Sequence, residues 1–177
     1  MIKNDQIIIR AIAERDLEEL IVVLGDNDAL GDFMPGDFVS EATFKKNFQE
    51  HGFIREKSER YVITCREGRL LGSIGLFKSI PYVDGLELGY YIFNHECRGK
   101  GYASQAVRLL ANHLFKTRRI NRLELRMAVA NTPSVRVAVK AGFTHEGILR
   151  EASFANGEYH DMHSYALLRR EWAATRQ

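Results

Sequence analysis

The chain has 177 residues, 45% of them hydrophobic and 27% charged, an ordinary globular composition long enough to fill one core. Its formal net charge of +2 is too small to require a nucleic acid or an anionic membrane as partner, while leaving a local basic patch free to receive an anion. No stretch approaches the roughly 18 to 20 consecutive apolar residues of a membrane span, and the opening MIKNDQIIIRAIAERD lacks the apolar run and cleavage site of a secretory leader. Cys65 and Cys97 have neither close pairing nor the His spacing of a zinc site, so they read as free thiols in a reducing, cytoplasmic setting.

In chain order, QIIIRAI (6–12) predicts a first strand, and ERDLEELIVVLGD (14–26) a helix with acids in its opening turn and Gly25 at its end. The Gly- and Asp-rich stretch 27–38 reads as a long loop, a kind of segment that often carries function. SEATFKKNFQEHG (40–52) predicts a second helix, with Ser40 as N-cap, Phe44 and Phe48 on one face and Gly52 closing it. RYVITCR (60–66) and RLLGSIGLFKSI (69–80) form an antiparallel pair about a tight turn at 67–69, and GLELGYYIF (85–93) extends the sheet. YASQAVRLLANHLFK (102–116) spaces Ala103, Val107, Leu110 and Leu114 as an amphipathic helix.

NRLELRMAVA (121–130) then alternates Leu123, Leu125 and Met127 against Glu124 and Arg126 as a half-buried strand. Strand, helix and strand in succession favour a parallel pair joined by a right-handed crossover. NTPSVRVAVKAGF (131–143) predicts a short helix with Thr132 as cap, Pro133 at its first position and Gly142 at its end. Asn156-Gly157 between two strand-like runs predicts a type I′ hairpin. The sum is one α/β domain, 1–177, built on a mixed sheet without internal repeats or low-complexity linkers.

Between the strand at 85–93 and the helix at 102 lies HECRGKG, where Gly99 and Gly101 alternate with a cation. A Pro, an Asn or one Gly would reverse the chain more cheaply. The first turn of the helix leaves amide groups without intrahelical partners and carries the positive end of the macrodipole, so phosphate is the natural guest. A P-loop is excluded on the letters: Gly99-Lys100 would need a glycine at 94 and a hydroxyl at 101, where the chain has Asn94 and Gly101.

RGKGYA (98–103), following ELGYYI, resembles the Arg/Gln-x-x-Gly-x-Gly/Ala signature of the GNAT superfamily of N-acetyltransferases. ANTPSVRVAVKAGFTHEGILR (130–150) and GEYHDMHSYALLRREW (157–172) are similar to its ribosomal-protein acetyltransferase branch, so the likeness spans nearly the whole chain in order. The resemblance implies a mixed, mostly antiparallel central sheet splayed at two parallel strands and flanked by helices (α/β, or α+β). It implies acetyl-coenzyme A as cosubstrate, without a metal. Amides of Arg98, Gly99, Lys100, Gly101, Tyr102, Ala103 and Ser104 would receive the pyrophosphate, with Arg98 and Lys100 adding charge. The pantetheine arm would lie in the splay against the backbone of Tyr91, Ile92 and Phe93, with Asn131 and Lys140 as further coenzyme contacts.

Acetyl transfer from a thioester to an amine needs a neutral amine, a stabilised oxyanion and a stabilised leaving thiolate. A carboxylate is a suitable proton acceptor for the amine, and Glu87 on the strand entering the turn is the candidate base. Its other reading is a half-buried strand residue paired with an Arg. Backbone N–H groups near Ile92 or Phe93 are candidates for the oxyanion. Many relatives place a Tyr seven residues after the Asn as acid, but that offset falls on Ala138. Ser134, three after Asn131, matches the serine of the ribosomal-protein branch and is the candidate at the sulfur, its plain reading being a first-turn hydrogen bond. Tyr165 reads as a sheet residue. The Glu used as base elsewhere in the superfamily is replaced by Arg126, and Glu124 reads as solvent-facing.

His160 and His163 would point to opposite strand faces and share no metal. KTRR (116–119) reads as an exposed helix C-terminus complementing its dipole; His95 and His145 read as surface or core residues. The acceptor is expected to be a primary amine, foremost a protein N-terminus such as that of a ribosomal protein. Polyamines or aminoglycosides drawn by Asp26, Asp28, Asp32 and Asp37 are the second choice, and a non-catalytic acetyl-coenzyme A sensor is a third. An RNA-binding role ranks last because LGYYIF lacks basic partners. Neither nucleic acid nor membrane is expected as partner, and the chain is expected to be a monomer or homodimer.

Overall fold

A computed structural model describes residues 1–26, 31, 33, 39–78 and 82–175. Eight strands form one sheet in the order β1-β2-β3-β4-β5-β6-β8-β7. They are β1 (Ile2–Lys3), β2 (Ile7–Ala11), β3 (Ser58–Cys65), β4 (Leu70–Phe77), β5 (Gly85–Ile92), β6 (Arg122–Ala128), β7 (Thr144–Ala155) and β8 (Glu158–Leu168). Every neighbouring pair is antiparallel except β5 and β6, which run parallel as the strand, helix, strand succession predicts. The helices are α1 (Leu17–Gly25), α2 (Glu41–His51), α3 (Tyr102–Thr117), α4 (Thr132–Lys140) and α5 (Arg169–Ala174).

Strand alternation supplies two cores. Ile63, Leu71, Ile74 and Leu88 pack against Val107, Leu110, Leu114 and Phe115 of α3. One residue along, Val62, Leu70, Tyr91 and Phe93 face Leu17, Leu20 and Phe44 of α1 and α2. Each such apolar side chain, fully buried, contributes roughly 1.5–3 kcal/mol. β5 therefore turns Leu88, Tyr90 and Ile92 toward α3, and Glu87, Gly89 and Tyr91 toward α1 and α2. At the β4–β5 contact only glycine fits at Gly72, where a Cβ would lie 2.2 Å from the Tyr91 carbonyl oxygen.

Several local expectations change in the fold. A 3₁₀ turn, Glu14–Asp16, precedes α1. Asn131, not Thr132, caps α4, its Oδ1 accepting from the Ser134 amide at 3.1 Å. β1 and α5 carry too few residues to show a period. Of the predicted loop 27–38 only Gly31 and Phe33 are described, and Ser79 and Ile80 at the end of the predicted strand 69–80 also lie outside the described residues. The hairpin forms as read, with Asn156 and Gly157 both at positive φ (52° and 83°).

The C-terminus of α3 is not served by the KTRR side chains alone. Arg169 donates to the carbonyls of Phe115, Arg118 and Ile120 at 2.7, 2.6 and 2.8 Å. Arg118 instead makes a bidentate pair with Glu59, 2.8 Å at each contact. Glu124, expected to face solvent, is buried and held by Arg122 at 2.8 Å and Arg126 at 3.0 Å. Cys65 and Cys97 are free.

Candidate active site

β5 and β6 pair only at Gly85–Arg122, Leu86–Leu123 and Glu87–Glu124. Beyond Glu87, β5 continues against β4 and β6 against β8, so the two parallel strands splay. The Phe93 amide donates to Leu71 O at 3.0 Å. Antiparallel alternation then turns the main-chain groups of Leu88, Tyr90 and Ile92 away from β4, into the splay. A cleft of about 690 Å³ runs through this opening from the α1/α2 face, lined among others by Glu87, Tyr90, Tyr91, Met127, Asn131 and Ser134.

Glu87 stands where the splay begins. Its side chain is 14% exposed, and its ion-pair partner is Arg126, with Nη1 at 3.6 Å from Oε2. Glu87 is thus a paired strand carboxylate, as its plainer reading had it, and it lines the cleft. Burial raises its pKa above the ordinary carboxylate value; Arg126 pulls it down and Glu124 pushes it up again. Arg126 serves as counter-ion to two carboxylates.

Ser134 sits in the first turn of α4 with its amide taken by Asn131, which leaves its hydroxyl for the cleft. Ala138, at the offset of the familiar Tyr, is fully buried and offers no donor. Beside Ser134 is Tyr90, whose buried hydroxyl lacks a well-formed hydrogen bond among the described residues. Burial pushes this phenol up to about 12, with Ser134 pulling slightly the other way. Tyr90 was not singled out from the sequence, where a Tyr in an apolar strand run reads as a packing ring.

Arg98 folds back onto the end of β5. It donates to Ile92 O at 3.2 Å, to the Tyr91 hydroxyl at 3.0 Å and to Phe93 O at 3.4 Å. Its charge therefore first ties the strand end to the turn, and the Phe93 amide, spent on Leu71, is not available for an oxyanion. Gly99 and Gly101 both have positive φ (74° and 82°), the conformation that makes them glycines. Gly101 caps α3 without a side chain, and no acid lies in the first turn, so the amides of Tyr102, Ala103 and Ser104 open toward any anion. Lys140 is exposed at the far end of α4 from Asn131 and Ser134.

Residues 6–144 match the family described as the acetyltransferase (GNAT) domain. The chain belongs to the GNAT family of N-acetyltransferases. The ribosomal-protein-serine acetyltransferase of Escherichia coli (strain K12) is 29% identical over 128 residues, 72% of this chain and 71% of that protein. The spermidine N-acetyltransferase of Vibrio cholerae, solved with coenzyme A and spermine, superposes with a TM-score of 0.83 over 96% of this chain and 99% of that one, at 23% identity. The ribosomal α-N-protein acetyltransferase RimL, solved with coenzyme A, gives 0.82 over 93% and 95%, at 25% identity.

Within this GNAT fold the remaining candidates separate. His163 Nδ1 lies 3.0 Å from His145 Nε2, whereas His160 reaches the Ala155 carbonyl and lines the cleft. No cluster of three or more metal-ligating side chains occurs among the described residues. Tyr165 is buried against the rings of His145 and His163, and His95 lies beside Arg98. Two arginines that the sequence did not flag, Arg55 and Arg60, also line the cleft. Arg55 is held by His51 at 2.6 Å and Asn47 at 2.8 Å. No helix among the described residues is long and apolar enough to cross a membrane.

Proposed function

We propose that this enzyme moves the acetyl group of acetyl-coenzyme A to the amino terminus of a protein, a ribosomal protein being the first to test. The observation that carries the reading is the parting of β5 from β6 immediately after Glu87. It frees a strand edge to which an extended pantetheine arm adds hydrogen bonds, and it sets a carboxylate where the two faces of the sheet communicate. The amides at the start of α3 receive the pyrophosphate, and Lys100 adds charge beside them. Arg98 contributes by holding the turn to the end of β5.

The acceptor enters over the α1/α2 face. Glu87, its pKa raised by burial, takes in its ionised form the proton of the incoming ammonium, directly or through a water. The amine then attacks the thioester carbon; as the C–S bond breaks its electron pair stays on the sulfur, which Ser134 faces, and the second proton of the attacking nitrogen passes to water in the cleft. The Ile92 amide, turned into the splay, replaces Phe93 as the donor to the oxyanion. Residues 1–177 act in this reading as one catalytic domain in the reducing cytoplasm.

Charge on the acceptor side supports a peptide over a polyamine. Arg55, Arg60 and Arg126 line the cleft against Glu59 and Glu87, and Glu59 is already paired with Arg118. A polycation would meet guanidinium groups there, whereas a protein N-terminus brings one ammonium. Asp28, Asp32 and Asp37, which suggested the polyamine alternative, lie outside the described residues.

The test is coenzyme release from acetyl-coenzyme A with ribosomal-protein N-terminal peptides, polyamines and aminoglycosides, using wild type and Glu87→Gln. Turnover of peptides alone, reduced at least about 100-fold by Glu87→Gln with coenzyme binding retained, is the expected result. Turnover of polyamines alone overturns the acceptor assignment, and binding without any turnover overturns the catalytic one in favour of a sensor.

A further inference from the structure

Resting on that donor-site reading, we infer that Tyr90 is a positioning residue for the leaving sulfur, acting through Ser134. Three observations meet at this point. The Tyr90 hydroxyl is buried without a well-formed hydrogen bond among the described residues, and a buried hydroxyl left unpaired costs stability, so its retention calls for a partner, and the Ser134 side chain is the one beside it. Tyr90 and Ser134 line the same cleft, one from the unpaired length of β5 and the other from the first turn of α4. Ala138, fully buried, brings no donor to this wall.

A phenol whose pKa is near 12 stays protonated throughout the working range and remains a donor. With coenzyme bound, its O–H turns to Ser134 Oγ, and the serine O–H, which faces the phenol in the free protein, rotates into the cleft. When the C–S bond breaks, the electron pair stays on sulfur and the Ser134 hydroxyl hydrogen-bonds to it without giving up its proton. The pair thus stabilises a thiolate and does not act as a proton source, and its effect grows with charge on the sulfur.

The experiment compares, by calorimetry, the affinities of coenzyme A and desulfo-coenzyme A across the titration of the free thiol, which as a simple alkyl thiol ionises above the cysteine value of about 8.5. Wild type is expected to prefer coenzyme A, by about fivefold or more once the thiol is ionised, because a hydrogen bond to a charged group is at stake. Tyr90→Phe and Ser134→Ala each flatten that pH-dependent preference while leaving the affinity for desulfo-coenzyme A within about twofold, and the double variant loses no more than either single one. Ser134→Ala, a small change at a partly exposed position, carries the test should Tyr90→Phe fold poorly. A preference that survives Tyr90→Phe overturns the proposal and leaves the donor site standing. Losses that add in the double variant overturn the route through Ser134. If wild type binds neither compound, the donor-site reading falls and this proposal with it.

Discussion

For Glu87 as the proposed base, the requirements of folding and of catalysis oppose each other. The pKa of this carboxyl is raised in the folded protein by burial, with Arg126 only partly compensating. A raised acid favours folding in its protonated form: that contribution is full below the unfolded value, near 4.5, and is lost as pH rises through the folded value. Glu87→Gln keeps the neutral form at every pH. Its melting temperature at pH 7 is therefore expected to equal or exceed that of wild type, with the difference closing toward pH ~4, while turnover is lost. A base must be ionised, so the acid limb of kcat/KM in wild type should have its midpoint above the ordinary carboxylate value. A Glu87→Gln protein that melts lower at pH 7, or a limb at or below 4.5, would mean that Glu87 is chiefly a strut for Arg126. That Glu87 and Ser134 line the cleft was legible, Glu87 because an amine acceptor asks for a carboxylate near the phosphate turn and Ser134 through the resemblance to the ribosomal-protein branch. Tyr90 was not, since its role depends on a hydroxyl found unpaired only once α4 is folded against β5.

At the scale of elements, α3 must keep its first turn open for an anion while its last turn is held. The chain solves the second half with Arg169, whose guanidinium spans three carbonyls at the helix end and lies over the Phe115 ring, 5.3 Å from its centroid. Trp172 of α5 packs on the same ring at 5.3 Å and donates to Asn112 at 2.6 Å. Arg169→Ala is expected to cost about 2–3 kcal/mol in chemical denaturation, because three charge-assisted bonds vanish and leave partly buried carbonyls unpaired. Arg169→Lys should recover little, since an ammonium lacks the planar fork that reaches three acceptors. A loss below about 0.5 kcal/mol would return the capping role to Lys116 and Arg119. The sequence places those basic residues next to the helix end, and proximity in the chain made them the obvious cap; the actual partner comes from about 50 positions away, through packing that no local pattern encodes. Helix α2 was legible from apolar spacing and end signals, α3 from its spacing and α4 from Pro133 and Gly142 although its cap proved to be Asn131, as were the strands with clean alternation.

For the whole molecule, the splay is a defect in an otherwise continuous eight-stranded sheet. An unpaired strand edge inside a protein is costly unless something completes it. The geometry separates adjacent amides: Glu87, Gly89 and Tyr91 face β4, whereas Leu88, Tyr90 and Ile92 face the gap. Saturating coenzyme A should therefore slow hydrogen exchange at Leu88, Tyr90 and Ile92 and at Tyr102 to Ser104, with much smaller changes at Gly89 and Tyr91. At about 100 times its dissociation constant the ligand adds roughly 2.7 kcal/mol, a rise of about 5–10 °C in melting temperature for a chain of this size. Uniform protection across β5 would indicate general tightening of the sheet instead. An alternating pattern ties the donor to the strand edge, because a ligand lying along the gap completes the ladder on one side of β5 and leaves the β4 side as it was.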